Sequence, residues 1–202
     1  MTTITMLGID PSLTHTGYAV CEVDTVTRKI IRVIEMDTII TAKSKVKQVR
    51  RSSDDMTRAR LHAVTIREVI ARHSIKVGAA EIPSGGQSAS AAKAFGIAIG
   101  ILASLTIPLI EVSPGEVKMA SVGSKTADKE DIMRWALALT QATDSPVEWK
   151  TGSQTNEFMI ELNGGYMTKG MEHQADAISG VAAAIQSEQF RQLAGMMHAL
   201  IS

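Results

Sequence analysis

Two carboxylates in this sequence stand where burial should exclude them. "TITMLGID" is an apolar run that ends on Asp10, and "KVGAAEIP" is a second that ends on Glu81. Desolvating a charge is costly without a partner, so each acid either reaches water at a strand end or faces a cation there. A further pair, His173 and Asp176 in "EHQAD", is spaced by three, which puts both side chains on one helical face. Three carboxylates and an imidazole drawn together repel, or are forced to protonate, unless a cation sits among them. A hard divalent ion answers this: Mg²⁺ takes carboxylate and water oxygens and leaves positions open for phosphate. Two such ions can flank a phosphodiester, one activating a water and the other stabilising the leaving oxygen. Read singly, the residues have blander explanations. A strand-end acid is ordinarily a solvated terminus, and Asp176 suits the positive first turn of a helix. The chemistry rests on the ordered set.

The elements that must position these residues are legible as pattern. Residues 3–10, 16–24 and 28–41 read as three strands with short connections, an antiparallel meander. "SSDDMTRARLHAVTIREVIARH" reads as a helix capped by Ser52 or Ser53, with Asp54 and Asp55 in its first turn. Leu61, Val64, Ile66, Val69 and Ile70 recur near helical spacing as its apolar side. The strand ending at Glu81 follows, then a loop, then the Ala/Gly-rich helix "SAAKAFGIAIGILASL". Apolar almost all round, that helix belongs inside a core or in a subunit interface. A strand over "IPLIEVSP", a short helix from Pro114 through Lys118, and a helix opened by Thr126 over "ADKEDIMRWALALTQA" complete the middle. In that last helix Ile132, Trp135, Ala136 and Leu139 share a face. Residues 144–170 break the pattern and read as an inserted excursion with a hairpin around Asn163-Gly164. The rest is helical, with one break near Ser187. The expectation is a single α/β domain over 1–202: a mixed sheet of three antiparallel then parallel strands, flanked by helices.

Composition narrows the function classes. Hydrophobic residues make up 45% of the 202, enough for a sizeable core, and no apolar run approaches a membrane span of roughly 18 residues. The start "MTTITMLG" lacks a basic n-region, and a single cysteine, Cys21, cannot close an internal disulfide. A cytoplasmic protein is expected. Net charge is zero, yet residues 41–60, "TAKSKVKQVRRSSDDMTRAR", hold seven basic and two acidic side chains. That segment is either a solvated helix entrance or an edge that contacts phosphates.

The chain resembles the RuvC-type Holliday junction resolvases of the ribonuclease H-like superfamily. The resemblance rests on "LGIDPSLTHTGYAV", "AAEIPSGGQSASAAKAFGIAIGIL", "SPGEVKMASVGSKTADKEDI" and "HQADAISGVAAAI", in that order. It implies a ribonuclease H-like fold and nicking of two symmetric strands of a four-way DNA junction with Mg²⁺ or Mn²⁺, two ions per site. It implies that Asp10, Glu81 and Asp176 are carboxylate metal ligands and that His173 takes the fourth position. Lys118 and Lys129 would serve the scissile phosphate and backbone, and Ser84 and Gly85 would contact DNA. It also implies a homodimer through the Ala/Gly-rich helix around 90–105; the sequence names no helicase partner. The chain departs from the family pattern in lacking an aromatic in "IPSGGQSAS" after Glu81. Three other readings compete: a nuclease for flaps, forks or RNA–DNA hybrids with the same ligands, a fragment of an actin-like ATPase or kinase, and a DNA-binding relative without catalysis.

Overall fold

The computed structural model describes residues 3–83, 88–152, 160–162, 164–168 and 170–199. The expected meander forms from β1 (Thr3–Asp10), β2 (His15–Asp24) and β3 (Lys29–Ile40), all antiparallel. After helix α1 (Arg51–Arg72), β4 (Val77–Glu81) adds parallel to β1 on its other side. Helix α2 (Ala89–Ala103) leads to β5 (Leu109–Val112), parallel to β4, so the sheet order is β3-β2-β1-β4-β5. Helices α3 (Pro114–Ser121) and α4 (Lys129–Ala142) follow. Strands β6 (Thr151–Gly152), β7 (Glu161–Leu162) and β8 (Gly165–Met167) form a small sheet of their own. The chain then runs through α5 (Met171–Ala184) and α6 (Glu188–Ala199), with the break at Ser187 where expected. Among the described residues, no helix is long and apolar enough to cross a membrane.

Strand alternation decides which way the acids face. Leu7 and Ile9 of β1 join Tyr18, Val20, Ala80 and the α1 residues Ile66 and Val69 in one apolar cluster. Met6, Ala19, Cys21, Val77 and Ala79 point the other way, into the cluster that holds Ala177, Ile178 and Val181 of α5. With a side-chain period of two, Asp10 falls on the side of Met6 and Gly8, and Glu81 on the side of Val77 and Ala79. Both acids therefore emerge on the α5 face. Burying Ile178 or Val181 there stabilises the packing by about 1.5–3 kcal/mol each.

Two glycines let α5 lie directly on the sheet. A Cβ added to Gly8 would stand 2.0 Å from the Ala177 carbonyl oxygen, and one added to Gly17 would stand 2.1 Å from that of His173. Gly17 is the register partner of Asp10. The helix therefore touches the sheet beside the first acid, with backbone against backbone. The small sheet is tied to the same core, since Trp149, Ile160 and Met167 belong to the cluster around Met6 and Ala177.

Several local expectations shift. Helix α1 starts earlier than Ser52, with Arg50 at its N-cap and no side-chain cap bond. Asp55 is buried and paired with Arg58 and Lys93, while Leu61 and Val64 are exposed. The buried side of α1 is instead Arg58, His62, Ile66, Val69 and Ile70, because buried polar groups share that face. Helix α4 is capped by Asp128 in a capping box with Asp131, not by Thr126. Helix α2 buries Ala98, Ile101 and Leu102 but leaves Gly96, Ile99, Gly100 and Ala103 exposed, so it is not enclosed on all sides within one chain. The β7–β8 hairpin is present, with Gly164 at φ +78° in its turn; Asn163 lies outside the described residues.

Candidate active site

The opening acid sits at the end of a central strand, where the sheet is stiffest. Asp10, Glu81 and Asp176 line one cavity of about 390 Å³ at this edge, together with Lys118, Lys129 and Asp128. β1 and β4 are adjacent and parallel, so their C-terminal ends deliver the first two acids side by side. The first turns of α5 deliver Asp176 from above. α3 supplies Lys118, starting from a Ser113–Glu116 capping box with Pro114 at the helix entry. Lys129 is the first residue of α4. His173 hydrogen-bonds Asp10, Nδ1 to Oδ2 at 2.6 Å, and its ring stacks on His15 with centroids 5.5 Å apart.

The electrostatics are those of crowded acids. Burial, then the charge of Asp10, pushes the Asp176 carboxyl up to about 7. Burial and Asp10 raise Glu81 as well, against the pull of Lys118. At His173 burial opposes the charged ring, but the Asp10 hydrogen bond and the charges of Asp10, Glu172 and Asp176 outweigh it, and its pKa rises. Among the described residues, no group of three or more His, Cys, Asp or Glu side chains stands in a geometry that could hold a metal ion as it is. The donor set nonetheless fits a hard divalent cation by its chemistry. Burial, and after it the charge of Asp10, raises two of these carboxyls, and a divalent cation among them would offset both the lost solvation and the repulsion.

Two residues of this neighbourhood were not singled out from the sequence. Asp128 lines the cavity, but its Oδ1 accepts from the Asp131 amide at 2.9 Å, so it is held as a helix cap. Glu172 is 7% exposed, and its Oε2 has no hydrogen-bond partner. Its carboxylate lies 3.5 Å from His173 Nε2 and 3.7 Å from Lys129 Nζ. Its place beside His173 in a first helical turn was the available signal. Ser84 and Gly85 lie outside the described residues.

The turn after Asp10 is braced from behind. The Leu13 carbonyl accepts from Thr41 Oγ1 at 2.6 Å, Arg58 Nη2 at 2.9 Å and His62 Nε2 at 3.2 Å, all buried. Burial lowers the pKa of His62, which favours the neutral ring in this network. His73 instead reaches Glu35 at 2.7 Å.

Comparison with known proteins identifies the family. The family model "Crossover junction endodeoxyribonuclease RuvC" matches residues 6–149, which include Asp10, Glu81, Lys118 and Lys129 and stop before α5. A protein of that name from Rhodococcus opacus is 26% identical over 145 residues, covering 70% of this chain and 71% of its own. One from Hyphomonas neptunium is 28% identical over 138 residues, covering 65% and 74%. Among solved structures, Thermus thermophilus RuvC in complex with a Holliday junction substrate superposes with a TM-score of 0.62 at 21% identity, covering 89% of this chain and 92% of that one. The yeast mitochondrial Holliday junction resolvase Ydc2 gives a TM-score of 0.54 at 14% identity, covering 95% and 85%. These two structures share the fold. With a family match over most of its length, the chain belongs to the RuvC family of crossover junction endodeoxyribonucleases.

Proposed function

We propose that this protein resolves four-way DNA junctions by paired symmetric nicks, with Asp10, Glu81, His173 and Asp176 as its divalent-metal ligands. The observation that carries the reading is the shared cavity: three acids from β1, β4 and α5 with two lysines beside them. Bound there, Mg²⁺ or Mn²⁺, two ions per site, would supply an activated water and charge neutralisation at a scissile phosphate. Lys118 is placed to offset negative charge on the phosphate, and Lys129, 3.7 Å from the Glu172 carboxylate, to hold the backbone beside it. Asp10 fixes the His173 ring through its hydrogen bond. Residues 1–202 act as one nuclease domain, with 144–170 as an excursion anchored by Trp149, Ile160 and Met167.

Cutting two opposed strands needs two sites related by a two-fold axis. The exposed Gly96, Ile99, Gly100 and Ala103 on α2 suit close helix–helix contact between two copies, which supports a homodimer through this helix. The test is incubation with a labelled mobile four-way junction and Mn²⁺ beside linear duplex, fork and flap of matched sequence. Paired nicks opposite one another on the junction are expected. Preferential cutting of flaps or forks would replace junction resolution with another branched-DNA activity.

A further inference from the structure

The carboxylate cavity does not use the most basic stretch of the chain. Residues 42–51 connect β3 to α1, and all are exposed. They carry Lys43, Lys45, Lys47, Arg50 and Arg51, and Arg60 adds a sixth exposed cation one helical stretch later. Among the described residues, none of these six is in an ion pair. Several cations elsewhere are paired, Arg32 with Glu22, Arg72 with Glu35, Arg134 with Glu130 and Arg191 with Glu188, and among the described residues exposed unpaired lysines such as Lys29, Lys76 and Lys125 stand singly along the chain rather than in a run. Of the two acids in this region, Asp55 is turned inward to Arg58 and Lys93, and Asp54 accepts from the Ser44 amide at 3.2 Å. Arg51 also acts on the Asp55 charge, but within residues 42–51 a protein of zero net charge has gathered five cations and no acid.

The segment is fixed at the active-site end of the sheet. Gly17 is paired with Asp10 on one side and with Thr38 on the other, so β3 runs out just beyond the row that holds the first acid. Two strand spacings separate β3 from β1, roughly 10 Å. The next residue, Thr41, is buried and locked to the turn after Asp10, with its amide on the Thr14 carbonyl at 2.9 Å and its hydroxyl on that of Leu13. The root of the basic segment and the root of Asp10 thus share one braced turn. Lys118 and Lys129 flank the cavity from α3 and α4. The six cations stand beyond the β3 edge of the same end of the sheet.

We propose that residues 42–51, with Arg60, form a phosphate-binding track for a duplex arm that leaves the cavity over the β3 edge, sequence-independent and separate from the catalytic lysines. The proposal rests on the nucleic-acid reading of the site. Duplex DNA presents one phosphate charge per about 1.7 Å of axis, so a short arm supplies enough partners for all six cations. Because such contacts work by counterion release, they appear as salt dependence of binding rather than as base preference.

The test compares wild type with a variant carrying Lys43→Ala, Lys45→Ala, Lys47→Ala, Arg50→Ala and Arg51→Ala, all exposed positions. Affinity for a linear 30-base-pair duplex and for a four-way junction is measured across a salt series without divalent ion, and circular dichroism checks the fold. The expected result is a loss of at least roughly tenfold in affinity for both DNAs, with the log–log salt slope reduced by about 0.9 per phosphate contact removed. An unchanged slope, in an enzyme that still cuts junctions, overturns the track and leaves the nuclease reading standing. A reduced slope in a protein that cuts no branched DNA does the reverse. A variant that loses binding to phosphatidylserine vesicles while keeping its duplex affinity overturns the track in favour of a membrane surface.

Discussion

Asp10 Oδ2 and His173 Nδ1 lie 2.6 Å apart although the residues are separated by 163 positions. One terminates a central strand, the other stands in the first turn of the helix that crosses the sheet, and Gly17, the register partner of Asp10, packs under the His173 backbone. This bond ties the earliest and latest parts of the site together.

Asp10→Asn is expected to abolish junction cleavage, by well over a hundredfold, and to leave junction binding intact. Losing even an outer partner of a metal ligand costs about 10–100-fold, and here a proposed ligand itself changes charge. Gel-shift and cleavage assays on the same preparation separate the two. Loss of both would assign Asp10 to folding instead.

His173 brings an imidazole where an acid would bring a negative charge, and imidazole suits Mn²⁺ better than Mg²⁺. Mn²⁺ is expected to support cleavage at lower concentration than Mg²⁺, and His173→Asp to narrow the difference. Superimposable metal titrations of the two proteins would remove the imidazole from the ligand set.

Gly17→Ala must push α5 away, since its Cβ would meet the His173 carbonyl oxygen at 2.1 Å. A destabilisation of about 1–3 kcal/mol or more is expected, together with loss of cleavage. Gly195→Ala, on α6 with nothing within 4 Å, is the control and should stabilise by about 0.5–1 kcal/mol. Urea unfolding of both variants reads the contrast; equal midpoints would mean that α5 is not held by this close approach.

Glu35 accepts from Tyr18 at 2.8 Å, His73 at 2.7 Å and Arg72 at 2.5 Å. Burial alone would raise its pKa, but these three bonds and the charge of Arg72 outweigh it and hold the carboxyl low. A carboxyl lowered by folding stabilises fully above its unfolded value near ~4.3, and the contribution is lost as pH falls from there through the lower folded value. The urea midpoint should therefore drop more steeply below pH 5 in wild type than in Glu35→Gln. Parallel pH profiles would contradict the network.

Burial pushes the Cys21 thiol up to about 12, in the middle of β2. Native protein should be inert to a thiol reagent at pH 8, and unfolding should release one reactive group. Rapid labelling of the folded protein would show that the core opens locally at β2.

The sequence by itself determined what is periodic or local. Apolar runs marked β1, β2 and β4 and placed Asp10 and Glu81 at the ends of β1 and β4, and a spacing of three put His173 and Asp176 on one face of α5. Pro114 marked the start of α3. Its misjudgements were local competitions between equivalent residues: Leu61 and Val64 have helical spacing, but Arg58 and His62 occupy the buried side because the Leu13 carbonyl needs their hydrogens. The tertiary structure alone decided the convergence. The contact of α5 with the sheet depends on Gly8 and Gly17 lying under particular carbonyls, a match between segments more than 150 residues apart that no local pattern encodes. The burial of Glu172 beside His173 and Lys129, and the burial that, with the charge of Asp10, raises Asp176 to about 7, follow from that packing. Desolvation and charge proximity are properties of the assembled site, and they appear only once the helix has settled on the glycines.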